Sequence, residues 1–386
     1  MRLHHLAHQA GTGWSTPLPA EDDGPTTLVL AFGAPCYAGD WAPFRQLAAA
    51  FPQAQLIGCS TAGEIAGASV HDASISATVV RFDGTRLRRA AATIATAADS
   101  RAAGAHLAEQ LAAPDLRAVF VLSDGLCVNG SALVEGMAQR LSPDIAITGA
   151  LAGDGSAFTR TWLVGREGPQ TQQACAIGFY GQRLRVGHGC DGGWHDFGPE
   201  RRITRAEGNV LFELDGRPAL DLYKTYLGER AAGLPGTALL FPLAVRREGA
   251  GQDGALVRTI LGIDETRRSL TFAGDLPQGG IARLMRANAD QLIDSAARAA
   301  RQAMRGLEGA GDVTGPALVI SVSCVGRRLV LGERTDEEVE TVAECAPPEA
   351  VHLGLYSYGE ISPMAAGGVT ELHNQTMTVT ALREAA

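Results

Sequence analysis

Seven cysteines, at positions 36, 59, 127, 175, 190, 324 and 345, and nine histidines carry the softest side-chain chemistry in this 386-residue chain. No CxxC pair occurs, which argues against zinc ribbons and thioredoxin-type redox motifs. An odd, scattered set reads as reduced thiols in a cytosolic protein. Cys59-Ser-Thr and Ser321-Val-Ser-Cys324 hold possible nucleophiles, but nothing nearby in sequence marks a partnering base. Small packing residues are the better reading there, and a thiol hydrolase using Cys59 or Cys324 stands only as a minor third hypothesis. There is no GxxxxGK[ST] phosphate loop, no GxSxG elbow and no HExxH pair. The glycine-rich stretch 187–193 has the wrong spacing for dinucleotide binding and reads as a tight turn. The expectation is a binding protein, not an enzyme.

What remains is polar residues at the ends of expected strands. Ser123, Asp124, Asn129 and Asp154 form one set. Cys324, Arg327, Arg328, Tyr356, Tyr358 and Glu360 form a second, and His373, Asn374, Gln375 and Thr376 a third. Together they suggest a pocket for a small polar molecule or a cofactor. Of the histidines, His4, His5 and His8 fall in an N-terminal tail, His71 in a loop and His106 on an exposed helix. His188 and His195 flank the glycine-rich stretch with Trp194, His352 alternates with Val351 and Leu353 on a strand, and His373 precedes the last strand. Any of these could serve structure alone.

The elements that must position these groups recur. Thr27–Gly33 is a short apolar run ending in glycine, hence a buried strand. A helix over 41–51 and a strand over 54–58 follow. The same strand–helix–strand order returns at 118–155, with a helix over 131–141, and again at 317–361, with a helix over 335–343 that carries Asp336, Glu337 and Glu338 in its first turn, as the helix dipole favours. Gly58-Cys-Ser-Thr-Ala-Gly-Glu-Ile65 aligns with Gly354-Leu-Tyr-Ser-Tyr-Gly-Glu-Ile361, and a β-rich run follows each, at 75–82 and 375–382. This points to an internal duplication. The middle, 172–280, reads as paired strands and a meander with a short helix over 218–227, and 281–306 reads as one long amphipathic helix. The fold class is therefore α/β with α+β mixing: duplicated strand–helix–strand halves around a β-rich middle. Strand ends at an open α/β sheet are where ligands bind.

Composition narrows the partners. The formal net charge is −9, from 33 Lys and Arg against 42 Asp and Glu, so no concentrated basic face for nucleic acid is expected. Apolar residues make up 46 %, enough for a full core. The N-terminus lacks the apolar segment of a signal peptide, and no apolar run reaches the roughly 20 residues of a spanning helix. The expectation is a cytoplasmic protein without membrane contact.

Several blocks together resemble the FIST-domain family. They are 58–65, Leu122-Ser-Asp-Gly125, 148–154, 207–220, 272–277, Cys324-Val-Gly-Arg-Arg328, Tyr356-Ser-Tyr-Gly-Glu360 and His373-Asn-Gln-Thr-Met-Thr378. The resemblance implies a FIST N-terminal domain over 25–205 and a FIST C-terminal domain over 206–383. It further implies a bacterial sensory module that binds a small ligand and reports to signalling partners. The NosP-type haemoproteins are the subgroup it resembles most, which implies haem b, nitric oxide as signal, and a histidine kinase or cyclic-di-GMP enzyme as partner. The chain shows no kinase, cyclase or receiver segment, so that partner is expected to be a separate protein. On this reading His373 is the first choice for haem-iron ligand, with His188, His195 and His352 open, and Cys324, Arg328, Tyr356, Tyr358, Glu360, Asn374 and Thr376 line the pocket. The alternative is a FIST sensor for a metabolite such as an amino acid, bound by Arg328 and Glu360 without haem.

Overall fold

The computed structural model describes residues 1–249, 255–308, 315–365 and 367–385. One mixed strand plan is used three times. In the first unit, strand Thr27–Gly33 pairs in parallel with Gln55–Ser60 on one side and antiparallel with Ser74–Arg81 on the other; Arg2–Gln9 lies outside the latter. The second unit repeats this with Leu116–Ser123 between Ala146–Leu151 and Gln173–Tyr180, and Arg86–Thr93 outermost. The third does so with Leu318–Cys324 between Val351–Ser357 and Met377–Glu384, and Leu184–Asp191 outermost. The mixed α/β class expected from sequence is what forms. The strand–helix–strand pattern read at three places is one topology at all three.

The repeat extends to single residues. Ala34, Asp124 and Cys324 each donate a backbone N–H to the start of the following antiparallel strand, at Ser74, Gln173 and Thr376. The residues just before those acceptors, Ala73, Gln172 and Gln375, all have positive φ, at 56°, 55° and 63°.

Each unit would leave its second parallel strand with an open edge, and each edge is covered by a hairpin from another unit. Glu64–Ala66 leaves the first unit to pair with Val351–Ser357 of the third. Gly359–Pro363 leaves the third to pair with Ala146–Leu151 of the second. Leu163–Val164 leaves the second to pair with Gln55–Ser60 of the first. The exchange closes a ring.

Period-2 alternation then sorts the side chains. Leu28, Leu30 and Phe32, Phe120 and Leu122, and Ile320 and Val322 point into one shared core between the three sheets. Their neighbours point outward under helices: Val29 and Ala31 beneath Ala42–Ala50, Val119 and Val121 beneath Ser100–Leu111 and Gly130–Ala138, Val319 beneath Ala289–Leu307 and Thr335–Cys345. Strands buried on both faces read as continuous apolar runs, which is why they were legible.

Between Leu184–Asp191 and Ala289–Leu307 the chain makes an antiparallel β structure with its own core, built on Ile203, Leu211, Leu220, Tyr223, Leu270 and Phe272. Three sequence readings change here and nearby. The expected helix over 281–306 begins only at Ala289, where Asn288 and Gln291 form a capping box. Ile281–Arg286 is a strand paired with Leu243–Arg246, and its Ala282 and Leu284 alternate inward. The stretch 187–193 is not a tight turn: most of it lies in the strand Leu184–Asp191. The N-terminal histidines belong to the edge strand Arg2–Gln9 rather than a tail, with His4 Nε2 at 2.7 Å from Asp22 and His8 Nδ1 at 3.0 Å from the Tyr37 hydroxyl.

Glycine in that strand has a steric cause. The helix Ala289–Leu307 crosses so closely that a β-carbon at Gly187 would sit 1.9 Å from the Ala303 carbonyl oxygen, and one at Gly189 2.0 Å from that of Ala299. Backbone cannot give way as a flexible side chain can. Gly189→Ala is expected to destabilise the protein by about 3 kcal/mol through overpacking, read as a lower urea midpoint at unchanged slope. A loss below about 0.5 kcal/mol, the range of ordinary surface changes, would show that the helix is not held against this strand.

Candidate functional site

At the root of two of the three exchanged hairpins a buried carboxylate holds the start of the next strand, and in the remaining unit an aspartate after the first strand does so. Glu64 accepts from the Thr61 hydroxyl, from the Ser74 backbone N–H at 3.1 Å and from the Ser74 hydroxyl at 2.8 Å. Glu360 repeats this with Ser357 Oγ at 2.9 Å and with Thr376 N and Oγ1 at 3.2 and 3.1 Å. In the second unit Asp124, at the end of the first strand, accepts from Leu126, Cys127 and Gln172 N–H groups. Burial pushes Glu64 up to about 7 and Glu360 up to about 8 against the donors that favour the charged form.

The expected pocket residues divide into separate environments. Cys324, Glu360 and Thr376 are buried at one sheet end. Tyr356 is buried too, and its hydroxyl donates to Glu338 at 2.7 Å. Arg328 is committed elsewhere, to the Ala62 carbonyl at 2.7 Å and to Asp72 at 2.7 and 2.9 Å. Tyr358 donates to Asp154, and its ring stacks on Phe158 at 4.5 Å. Asp154 in turn gathers the backbone N–H groups of Phe158, Thr159 and Arg160. Asn374 is fully buried with neither end of its amide hydrogen-bonded, a polar group that asks for a partner. Burial raises the thiols of Cys59 and Cys324, the opposite of nucleophile activation.

The four candidate histidines have different surroundings, although His188 and His373 reach the adjacent carbonyls of Pro363 and Ser362. His373 is buried with Nε2 at 2.8 Å from the Ser362 carbonyl, and burial lowers it to about 4. His352 is buried beside Ser321 Oγ at 2.8 Å and is likewise lowered to about 4 by burial. His188 is half-buried, and burial lowers it as well. His195 is exposed and lines a cavity.

That cavity, of about 370 Å³, lies where the third unit meets the inserted β structure. Asp191, Gly192, Gly193 and Trp194 line the side next to the third unit; His195 and Asp196, paired with Ile281–Arg286, line the other with Glu200, Ala244, Arg246, Val257, Ile281, Arg283 and Met285. Its arginines and carboxylates are paired on neighbouring segments of the lining, and the helix Ala289–Leu307 holds Asp191 from outside it. Arg283 Nη1 lies 2.6 Å from Asp196, Arg246 Nη2 lies 3.0 Å from Glu200, and Arg298 Nε reaches Asp191 at 2.7 Å. Both signs therefore line one concave space with an indole and aliphatic floor.

Sequence reasoning found His195 there but missed the rest of the lining. The alternation of Ile281, Arg283 and Met285 carried the signal, hidden by the helix assignment. It also missed Glu338, read as a helix-terminal charge with Asp336 and Glu337. Glu338 is fully buried and pairs with the fully buried Arg327.

The fold is thus a ring of three α/β sheets with a mixed-charge cleft beside the third. The chain matches the FIST N domain over residues 27–217 and the FIST C domain over residues 219–363. It belongs to the FIST family, whose domains are generally sensory and bind ligands. An uncharacterised protein of Methanocaldococcus jannaschii is 32 % identical over 85 residues, 22 % of this chain and 16 % of that one. The chain thus matches only a small part of that relative's length. A crystal structure of cyanuric acid hydrolase from A. caulinodans aligns over 100 % of this chain and 99 % of that one, at 9 % identity and a TM-score of 0.36, a likeness too slight to carry an argument. Among the described residues no helix is long and apolar enough to cross a membrane, and no three His, Cys, Asp or Glu side chains are grouped to hold a metal ion.

The raised carboxylates have a consequence for stability. A folded-state value above the unfolded one means the native state holds the proton more tightly. The Glu360 contribution is full below about pH 4.5 and is lost as pH rises through about 8. Glu360→Gln, measured by urea unfolding against the parent from pH 5 to pH 8, is expected to show a smaller fall in stability as pH rises. Parallel curves would show that Glu360 does not titrate in this window.

Proposed function

We propose that this protein is a sensory module whose cleft between the third sheet and the inserted β structure takes a small metabolite carrying both charges, an amino acid being the expected class. The observation that carries this is that two ion pairs, Arg283 with Asp196 and Arg246 with Glu200, both line one cavity of about 370 Å³. A zwitterion can exchange into such pairs, its carboxylate on a guanidinium and its ammonium on a carboxylate, without leaving either protein charge alone. Trp194, Val257 and Met285 would cover its side chain. Binding without turnover, and a report to a separate protein such as a histidine kinase or cyclic-di-GMP enzyme, complete the reading.

Haem b asks for an imidazole nitrogen facing a largely apolar slot. The residues do not fit it. His373 Nε2 is held by the Ser362 carbonyl inside a paired hairpin, His352 by Ser321 Oγ and His188 at the Pro363 carbonyl, and the cleft beside His195 is lined by charges, Asp191, Asp196, Glu200, Arg246 and Arg283, rather than being largely apolar. Nitric-oxide sensing through haem therefore draws no support from these side chains.

Thermal unfolding in the presence of each of the twenty amino acids, and separately of haemin, tests both readings. At least one amino acid is expected to raise the melting temperature. Arg283→Ala is expected to weaken its binding by about tenfold or more, the effect of losing one charge-assisted hydrogen bond. No stabilisation by any amino acid, with a stoichiometric Soret band that shifts on adding nitric oxide, would overturn this proposal in favour of haem.

A further inference from the structure

The wall of the cleft is held from behind by the third unit. Arg327 Nη1 donates to the Gly192 carbonyl at 2.6 Å, and Trp194 Nε1 donates to the Gln375 carbonyl at 2.8 Å. Gly192 and Trp194 both line the cavity. Arg327 has no exposure to solvent, and its other donors are also placed: Nε on Glu338 at 2.7 Å, and Nη2 on the Leu292 carbonyl at 2.9 Å, Ser295 Oγ at 3.1 Å and Glu338.

The network continues to another unit. The second carboxylate oxygen of Glu338 accepts from Ser323 Oγ at 3.0 Å and from the Tyr356 hydroxyl at 2.7 Å. The Tyr356 backbone bridges into the first unit: its carbonyl accepts from Ala62 at 2.7 Å, and its N–H donates to Gly63 at 2.9 Å. Arg328 lies 5.7 Å above the Tyr356 ring and fastens the Ala62 carbonyl and the exposed Asp72. Ala62, Gly63 and Asp72 bracket the hairpin Glu64–His71, which the first unit sends onto the third.

We infer that the cleft and the hairpin Glu64–His71 are two ends of one buried ionic network, so that filling the cleft shifts the packing of that hairpin. The inference rests on the cleft being the ligand site. The physical reason is that a fully buried guanidinium–carboxylate pair does not deform by degrees. If Gly192 moves, Arg327 either follows it or is left with an unpaired buried donor, and Glu338 and Tyr356 face the same choice. The device lies in the hydrogen bonds and needs no domain rotation. Its output surface is the outer face of the hairpin with Asp72, where a signalling partner would read it.

The test fills the cleft without a ligand. Ala244 lines it and shares an apolar cluster with Trp194. Ala244→Phe serves as a built-in occupant, and Val257→Phe serves if the first variant fails to fold. Hydrogen–deuterium exchange by mass spectrometry is read over 64–71 and, as control, over 27–33. The expected result is a several-fold change in exchange over 64–71 with none over 27–33. Adding Tyr356→Phe, which removes the hydroxyl link and leaves the cleft lining intact, is expected to abolish that change. A response confined to the cleft walls, or one that persists with Tyr356→Phe, would overturn the inference. If no amino acid stabilises the parent while the filled variant still moves the hairpin, the ligand reading fails and the coupling stands. If an amino acid binds and neither it nor the filled variant alters 64–71, the coupling fails and the ligand reading stands.

Discussion

A parallel strand at the edge of a sheet carries a row of unpaired backbone groups, and three such edges arise when one strand plan is repeated three times. This chain satisfies each edge with a hairpin from a different unit, in a closed cycle. The rest of the structure depends on that exchange. It brings the inner faces of three sheets around one core of Phe32, Phe120, Ile320 and their neighbours, and it leaves the outer faces to the helices. It also explains why carboxylates are buried at the hairpin roots. Where the chain leaves its own sheet for another, the next strand must begin without a neighbour for its first N–H, and Glu64 and Glu360 supply the acceptor.

The cleft departs from this repeat. It belongs to the third unit alone, because only there is a β structure inserted between the outermost strand and its helix. The insertion provides a second wall of opposite charges. The ring supplies a rigid first wall, whose support is an ion pair with no access to water. A buried pair of this kind is poor evidence for net stability. Its value here is directional: every guanidinium nitrogen of Arg327 is hydrogen-bonded, so the position of Gly192 is tied to that of Tyr356.

Strands with apolar residues on both faces were legible as uninterrupted runs, and the matched Gly-Glu-Ile blocks at 63–65 and 359–361 correctly marked equivalent hairpins. The third equivalent was hidden because its hairpin, Leu163–Val164, follows a long loop and lacks the glutamate. Ile281–Arg286 was misread because alternating apolar and arginine residues next to a strong helix satisfy either period over a short window. Glu338 looked like a charge placed for the helix dipole, and only packing shows it buried against Arg327.

Local sequence determined most of the strands and helices and the matched blocks that mark two of the exchanged hairpins. Those properties depend on neighbours within a few positions. The tertiary structure alone decided that Arg328 is held by Asp72, that His373 is held by Ser362, and that Arg246, Arg283 and Asp191 face one space. Such partners are separated by anywhere from 11 to more than 250 residues. Their meeting follows from the order in which hairpins are exchanged and from the inserted β structure, neither of which leaves a period or a motif in the chain.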